Sequence, residues 1–164
     1  MGRKTHRLLA IAAAASVASG AWAEAWRTYV NPRYGVSAEV PADWAMGPPP
    51  VDNDGRGFTS PDGSAEMSIS GMLFVLPRDQ EFSLRTLPGD GETITYKVVQ
   101  GSLVVVSGFR GDKIFYRKSI LDCGVWSDLS IEYPARDKLG YDPLVVRAAA
   151  SLKPGHGYDN PNCP

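Results

Sequence analysis

The sequence predicts an α+β domain, an antiparallel meander of about six or seven strands with a C-terminal helix packed on one face. Three observations carry this. Turn-forming residues recur about every 8 to 12 positions, the rhythm of antiparallel strands. The run Leu103-Val104-Val105-Val106-Ser107-Gly108-Phe109 is apolar on both faces, as a strand covered on both sides should be. Val145, Ala148, Ala149 and Leu152 form a helical stripe near the end of the chain.

In chain order, Tyr34 to Val40 alternates and stops at Pro41, which reads as a strand. Pro48-Pro49-Pro50 and Asp52-Asn53-Asp54-Gly55 form a stiffened loop that turns at its Asp/Asn/Gly cluster. Gly57 to Ser60 is a short strand, Pro61-Asp62-Gly63 a turn, and Glu66 to Phe74 the next strand. Asp79 to Leu87 has weak helical character. Thr93 to Val99 is β-branched and strand-like, and Gln100-Gly101 turns it into the apolar run that ends at Phe109. That run is expected at the centre of the sheet. Gly111-Asp112 leads into a strand from Lys113 to Asp122, and Cys123-Gly124 into another from Val125 to Tyr133. In the last strand Val125, Leu129, Ile131 and Tyr133 share one face, while Trp126, Asp128 and Glu132 share the other. The helix is expected to begin with Asp142 as N-cap and Pro143 at the first helical position, and to stop at Pro154-Gly155.

The first 23 residues read as a secretory signal peptide: Arg3, Lys4 and Arg7, an apolar run from Leu8 to Ala21, and the small-residue site Ala21-Trp22-Ala23. The run of about 14 residues is shorter than the roughly 20 needed to span a bilayer. The expected mature chain is residues 24–164, a single domain with a short polar tail at 154–164, placed in the periplasm or secreted. Cleavage removes three of 17 basic residues and none of 18 acidic ones, taking the formal charge from −1 to −4. Such a domain lacks the basic stripe that nucleic acid requires and is poorly suited to docking on anionic lipid by charge. Cys123 and Cys163, the only cysteines, read as one disulfide in an oxidising compartment. It would pin the tail to the domain, and closing about 41 residues is worth on the order of 4 kcal/mol.

Asn31-Pro32-Arg33-Tyr34-Gly35-Val36-Ser37-Ala38-Glu39-Val40-Pro41-Ala42-Asp43-Trp44 resembles the opening of a group of small exported bacterial proteins. Thr59 to Ala65, Ile131 to Ala135, and Tyr141 to Val145 with the helix that follows agree with it. The arrangement is similar to the Mog1/PsbP-like fold, an antiparallel sheet flanked by helices. The resemblance covers most of the mature chain, and its motifs are structural rather than catalytic. Proteins of this kind often carry a longer helix after the third strand. Here Pro77, Pro88 and two glycines within 76–91 keep that helix short, which leaves one sheet face thinly covered and predicts a groove there.

The catalytic inventory is sparse. The mature chain has one histidine, His156, in a Gly-flanked tail where a catalytic base would be poorly held. One histidine and a paired cysteine couple do not make a zinc site. Asp52, Asp54 and Asp62 are hard oxygen ligands, but the loop lacks the acid spacing and closing Glu of an EF-hand, so a turn is the better reading than calcium. Asp128 and Glu132, four apart on one strand, stand about 13 Å apart, too far for a glycosidase pair without a third acid. Trp126 on a polar face is either covered by another element or a contact residue. Arg110, Lys113, Arg117 and Lys118 either face an anion or protect a sheet edge. The expectation is an exported, non-catalytic domain without a cofactor that binds a protein or envelope partner. Trp126, Asp128, Glu132 and Arg117 are the candidate contacts. The alternative is a hydrolase of envelope material that works through carboxylates from different strands.

Overall fold

A computed structural model describes residues 25–155. The predicted signal peptide, His156 and Cys163 lie outside these described residues. Seven antiparallel strands form the main sheet: β3 (Ala45–Met46), β4 (Gly55–Thr59), β5 (Glu66–Leu73), β6 (Glu92–Gln100), β7 (Leu103–Arg110), β8 (Lys113–Asp122) and β9 (Val125–Pro134). Their order is β3-β4-β5-β9-β8-β7-β6. A separate hairpin joins β1 (Trp26–Val30) to β2 (Ser37–Pro41). Two helices, α1 (Arg78–Arg85) and α2 (Lys138–Ser151), complete the α+β architecture.

The meander prediction holds, with a different centre. β9 occupies the middle, and the apolar strand β7 lies next to the edge strand β6. Val104 and Val106 are nevertheless buried on one face and Val105 on the other. The sequence pattern reports burial on both faces, and a helix can supply that near an edge as well as at the centre. β8, which carries Lys113, Arg117 and Lys118, is an interior strand, so its cations are not edge guards. Lys118 instead donates to the Ala149 carbonyl in the last turn of α2 at 2.7 Å, where a cation complements the helix dipole.

Each sheet face carries its own core. On one face α2 and the β1–β2 hairpin cover Phe58, Met67, Ile69, Leu129, Ile131 and Tyr133. The predicted stripe Val145, Ala148, Ala149 and Leu152 is buried there. On the opposite face Val104, Val106, Phe115, Leu121 and Trp126 make a smaller core that Phe74, Phe82 and Ile94 pack against.

α2 begins earlier than predicted. A 3-10 turn at Ala135–Asp137 leads straight into Lys138, and Pro143 lies inside the helix. Pro143 gives up the bond its N–H would make to the carbonyl of Leu139. The turn before it is anchored in other ways: Tyr141 stacks on the core residue Tyr133 at 4.9 Å, and Asp142 accepts from Lys138 at 2.6 Å. Asp142 therefore acts as an i,i+4 partner rather than as the N-cap.

The β1 strand was not anticipated from the sequence. Its register is fixed by Asn31, fully buried between β1 and β2. The Asn31 Oδ1 accepts the N–H groups of Arg33 and Tyr34, and its Nδ2 donates to the Asn53 carbonyl at 3.0 Å. This closes the Asn31–Gly35 turn and ties it to the 50–54 loop, which frames one side of the groove described next.

Candidate functional site: a groove beside the short helix

The short helix covers only part of its sheet face, as its proline- and glycine-flanked sequence predicts. Its hold on the sheet is built around Trp126. Phe82 meets the Trp126 ring edge-on with centroids 4.8 Å apart. Glu81 is buried; its Oε2 accepts the indole N–H at 3.1 Å and its Oε1 accepts the backbone N–H groups of Val75 and Leu76 at 3.1 Å. One turn on, the Arg85 guanidinium lies over the Trp126 ring at 4.0 Å and donates to Asp128 at 2.6 Å. Trp126 is thus wholly buried, and its proposed role as a contact residue is corrected: the face was read rightly, but α1 covers it.

Beside this helix lies a groove of about 630 Å³. Its helix side and the end of β5 contribute Met72, Leu73, Val75, Leu76 and Leu84, and the sheet contributes Asp128, Ser119, Arg117, Val104 and Val106. Arg33, Tyr34, Asp52 and Asp54 line it as well. Several of the apolar residues face solvent, among them Val75 at 74% and Leu84 at 55% exposure. The volume is that of a small-molecule or peptide site, with mostly apolar surface and with polar and charged groups from the sheet, from α1 and from the 50–54 loop.

The electrostatics of the floor follow from burial. Burial pushes the Asp128 carboxyl up from its ordinary range; the Arg85 charge and hydrogen bonds from Ser119 and Arg85 only partly offset this. For Glu81, burial also raises the pKa, but the hydrogen bonds from Val75, Leu76 and Trp126 outweigh it, and the net direction is downward. Glu92 is almost wholly enclosed and accepts from Arg117 at 2.9 Å and Arg110 at 2.7 Å.

Of the residues singled out in the sequence, Asp128 and Arg117 come together in the groove, while Trp126 lies under Phe82 and Arg85 of α1. Glu132 does not join them; it pairs with Arg110 at 2.7 Å and Lys113 at 3.5 Å in a neighbouring depression. Asp52 and Asp54 reach the groove wall, but the loop's carbonyls are spent on the chain. Those of Asp52, Asn53 and Asp54 accept from Arg33, Asn31 and Gly71 respectively. Cys123 sits with Gly124 in the two-residue β8–β9 turn, both at positive φ (49° and 73°), the geometry of a type I′ hairpin. Glu81, Arg85 and Glu92 were missed. The only trace of the first two in the sequence is their i,i+4 spacing inside a weakly helical stretch.

No known family profile and no curated protein matches the sequence. Solved structures do. The fold is similar to that of cyanobacterial PsbP from Synechocystis, with a TM-score of 0.58 over 82% of this chain and 95% of that one at 11% identity. The fold is Mog1/PsbP-like. The Ran-binding protein Mog1p of Saccharomyces cerevisiae agrees, with a TM-score of 0.53 over 79% of this chain and 95% of that one at 9% identity. A Bacteroides thetaiotaomicron structure has a TM-score of 0.50 over 77% of this chain and 47% of that one at 15% identity. No helix among the described residues is long and apolar enough to cross a membrane.

Proposed function

We propose that the protein is an exported, non-catalytic binding domain and that the groove beside α1 receives its protein or envelope partner. The observation that carries this is the groove's construction: a row of solvent-facing apolar side chains above a floor whose ionisable groups are engaged with one another. Arg85 holds Asp128, Glu92 holds Arg117, and Glu81 is committed to three N–H donors. Contiguous exposed apolar surface rimmed by polar residues is typical of an interaction site. One of the similar folds, Mog1p, is a Ran-binding protein, which supports a binding use of this scaffold by analogy alone. Export rests on the signal-peptide pattern, and the Cys123–Cys163 staple rests on that compartment.

The test uses exposed positions, so that folding is preserved. Val75→Asp with Leu84→Asp should remove specific partners from a pull-down out of envelope extract, while the thermal midpoint stays within a few degrees. An unchanged set of captured partners would count against the groove.

One observation favours the second reading, a carboxylate-dependent hydrolase. Asp128 shares the groove with Asp52 and Asp54 and holds its proton more tightly than usual, as catalytic acids do. The Arg85 contact opposes this, because it pins the Asp128 carboxyl in an ion pair. Hydrolysis of envelope material that disappears in Asp128→Asn would establish the enzyme reading in place of the binding one.

A further inference from the structure

The groove floor carries an unmet requirement. In Arg85 only Nη1 has partners, Asp128 at 2.6 Å and Ser119 at 3.3 Å. The Nε and Nη2 of the same guanidinium are buried with no hydrogen-bond partner among the described residues, and the same is true of Arg117 Nε. Buried polar atoms without partners are uncommon, and charged ones are the most costly to leave so. Both arginines line the groove. The Nε–Nη2 edge of a guanidinium is the edge that meets a carboxylate with two parallel bonds. Two of the carboxylates already on the floor are matched by cations, Asp128 by Arg85 and Glu92 by Arg117 and Arg110; Glu81, held by neutral N–H donors, keeps its charge and opposes an anionic guest, which the two donor-bearing arginines must outweigh. The remaining acids, Asp52 and Asp54, belong to the loop wall with Arg33. Above the donors stand Met72, Val75, Leu76 and Leu84, a surface for an unbranched apolar chain.

We propose that the groove binds a fatty carboxylate, with its headgroup on the unpaired edge of Arg85 beside Arg117 and its alkyl chain along Met72, Leu76 and Leu84. This rests on the groove being the binding site and specifies the chemistry of its ligand.

The experiment is calorimetric titration at neutral pH of the purified protein, as processed by its host, with octanoate, decanoate and dodecanoate, each below its micelle concentration. Decanol, decyltrimethylammonium and a short peptide with an apolar C-terminal residue are the comparison ligands. One-to-one binding is expected, tightening about threefold to fourfold per added methylene. Decanol should bind at least tenfold more weakly than decanoate, because it cannot take the charge-assisted bonds. Leu84→Asp should abolish decanoate binding. Arg117→Gln should narrow the gap between decanoate and decanol without weakening decanol. Arg85→Gln alone would strand Asp128, so the pair is removed together as Arg85→Gln with Asp128→Asn, and this too should narrow the gap. Equal binding of decanol and decanoate would mean that the donors serve water only and would overturn the proposal. So would tighter binding of the ammonium, binding of the peptide without decanoate, variants that keep the gap, or no one-to-one binding. If decanoate fails while the Val75→Asp, Leu84→Asp variant still loses its envelope partners, the ligand class falls and the groove stands.

Discussion

At the scale of single residues, Glu81 ties the entry of α1 to the sheet. Its carboxylate satisfies two backbone donors and the indole of Trp126 from a buried position. Glu81→Ala removes one acceptor and strands three donors, two of them where the chain enters α1. A loss of about 3 kcal/mol is expected from equilibrium denaturation, and a loss below about 1 kcal/mol would show that water replaces the carboxylate freely. Asp62 is the clearest pH reporter. The Ser60 hydroxyl, at 2.6 Å, and then the Ser64 N–H and hydroxyl lower its carboxyl to about 2 from the ordinary 3.8. Because the folded value is depressed, its stabilising contribution is complete above about pH 4 and fades as pH falls toward 2. Carboxyl NMR should show Asp62 titrating near 2 and Ser60→Ala should move it upward; a midpoint near 3.8 in the unaltered protein would mean the turn does not hold Asp62.

At the scale of elements, α1 is short, lacks a side-chain N-cap and is fixed through Phe82, Glu81 and Arg85 onto one tryptophan. A helix of eight residues has little stability of its own, so its docking depends on that contact. Trp126→Ala should cost about 3 to 5 kcal/mol, in the range for buried aromatic truncation. It should also raise amide exchange across 78–85 more than across α2. Equal acceleration in both helices would show that α1 does not open separately. The same element shows why sequence reading reached the groove but not its chemistry. Pro77, Pro88 and the nearby glycines announce a short helix and an uncovered face. Periodicity places Trp126, Asp128 and Glu132 on one face of β9. What the pattern cannot supply is pairing across elements. Arg85 and Asp128 are 43 positions apart and meet only because α1 folds back over β9. Whether Trp126 is covered or a contact residue stays open in the sequence, because a period of two records which face a residue takes, not what lies above that face. The β1 strand escaped notice because its identity depends on Asn31, a polar residue whose buried bonds bridge distant loops.

At the scale of the whole molecule, the strand run from Glu66 to Leu73, the meander from Glu92 to Pro134 and the C-terminal stripe were legible, because alternation, two-residue turns and helical spacing are local properties. The sheet order was less so: the central position of β9 arises from its pairing with β5 across more than 50 residues. Two sheet faces with unequal cover organise the molecule. α2 and the β1–β2 hairpin close one of them, and the other is left partly open beside α1. The address and the staple are predictions at this scale. Intact mass under non-reducing conditions should show loss of the first 23 residues and a chain two hydrogens lighter than the dithiol form. Cys123→Ser should then lower stability by about 4 kcal/mol. A free thiol at either cysteine would remove the staple.

By the proposed function, the open face, and not the closed one, is where this domain meets its partner. Site-specific photo-crosslinking in the envelope tests it most directly, with the crosslinker placed at Leu84 in the groove and, separately, at Val146 on the exposed side of α2. Discrete adducts are expected from position 84 and none from position 146. Adducts from position 146 with none from position 84 would contradict it.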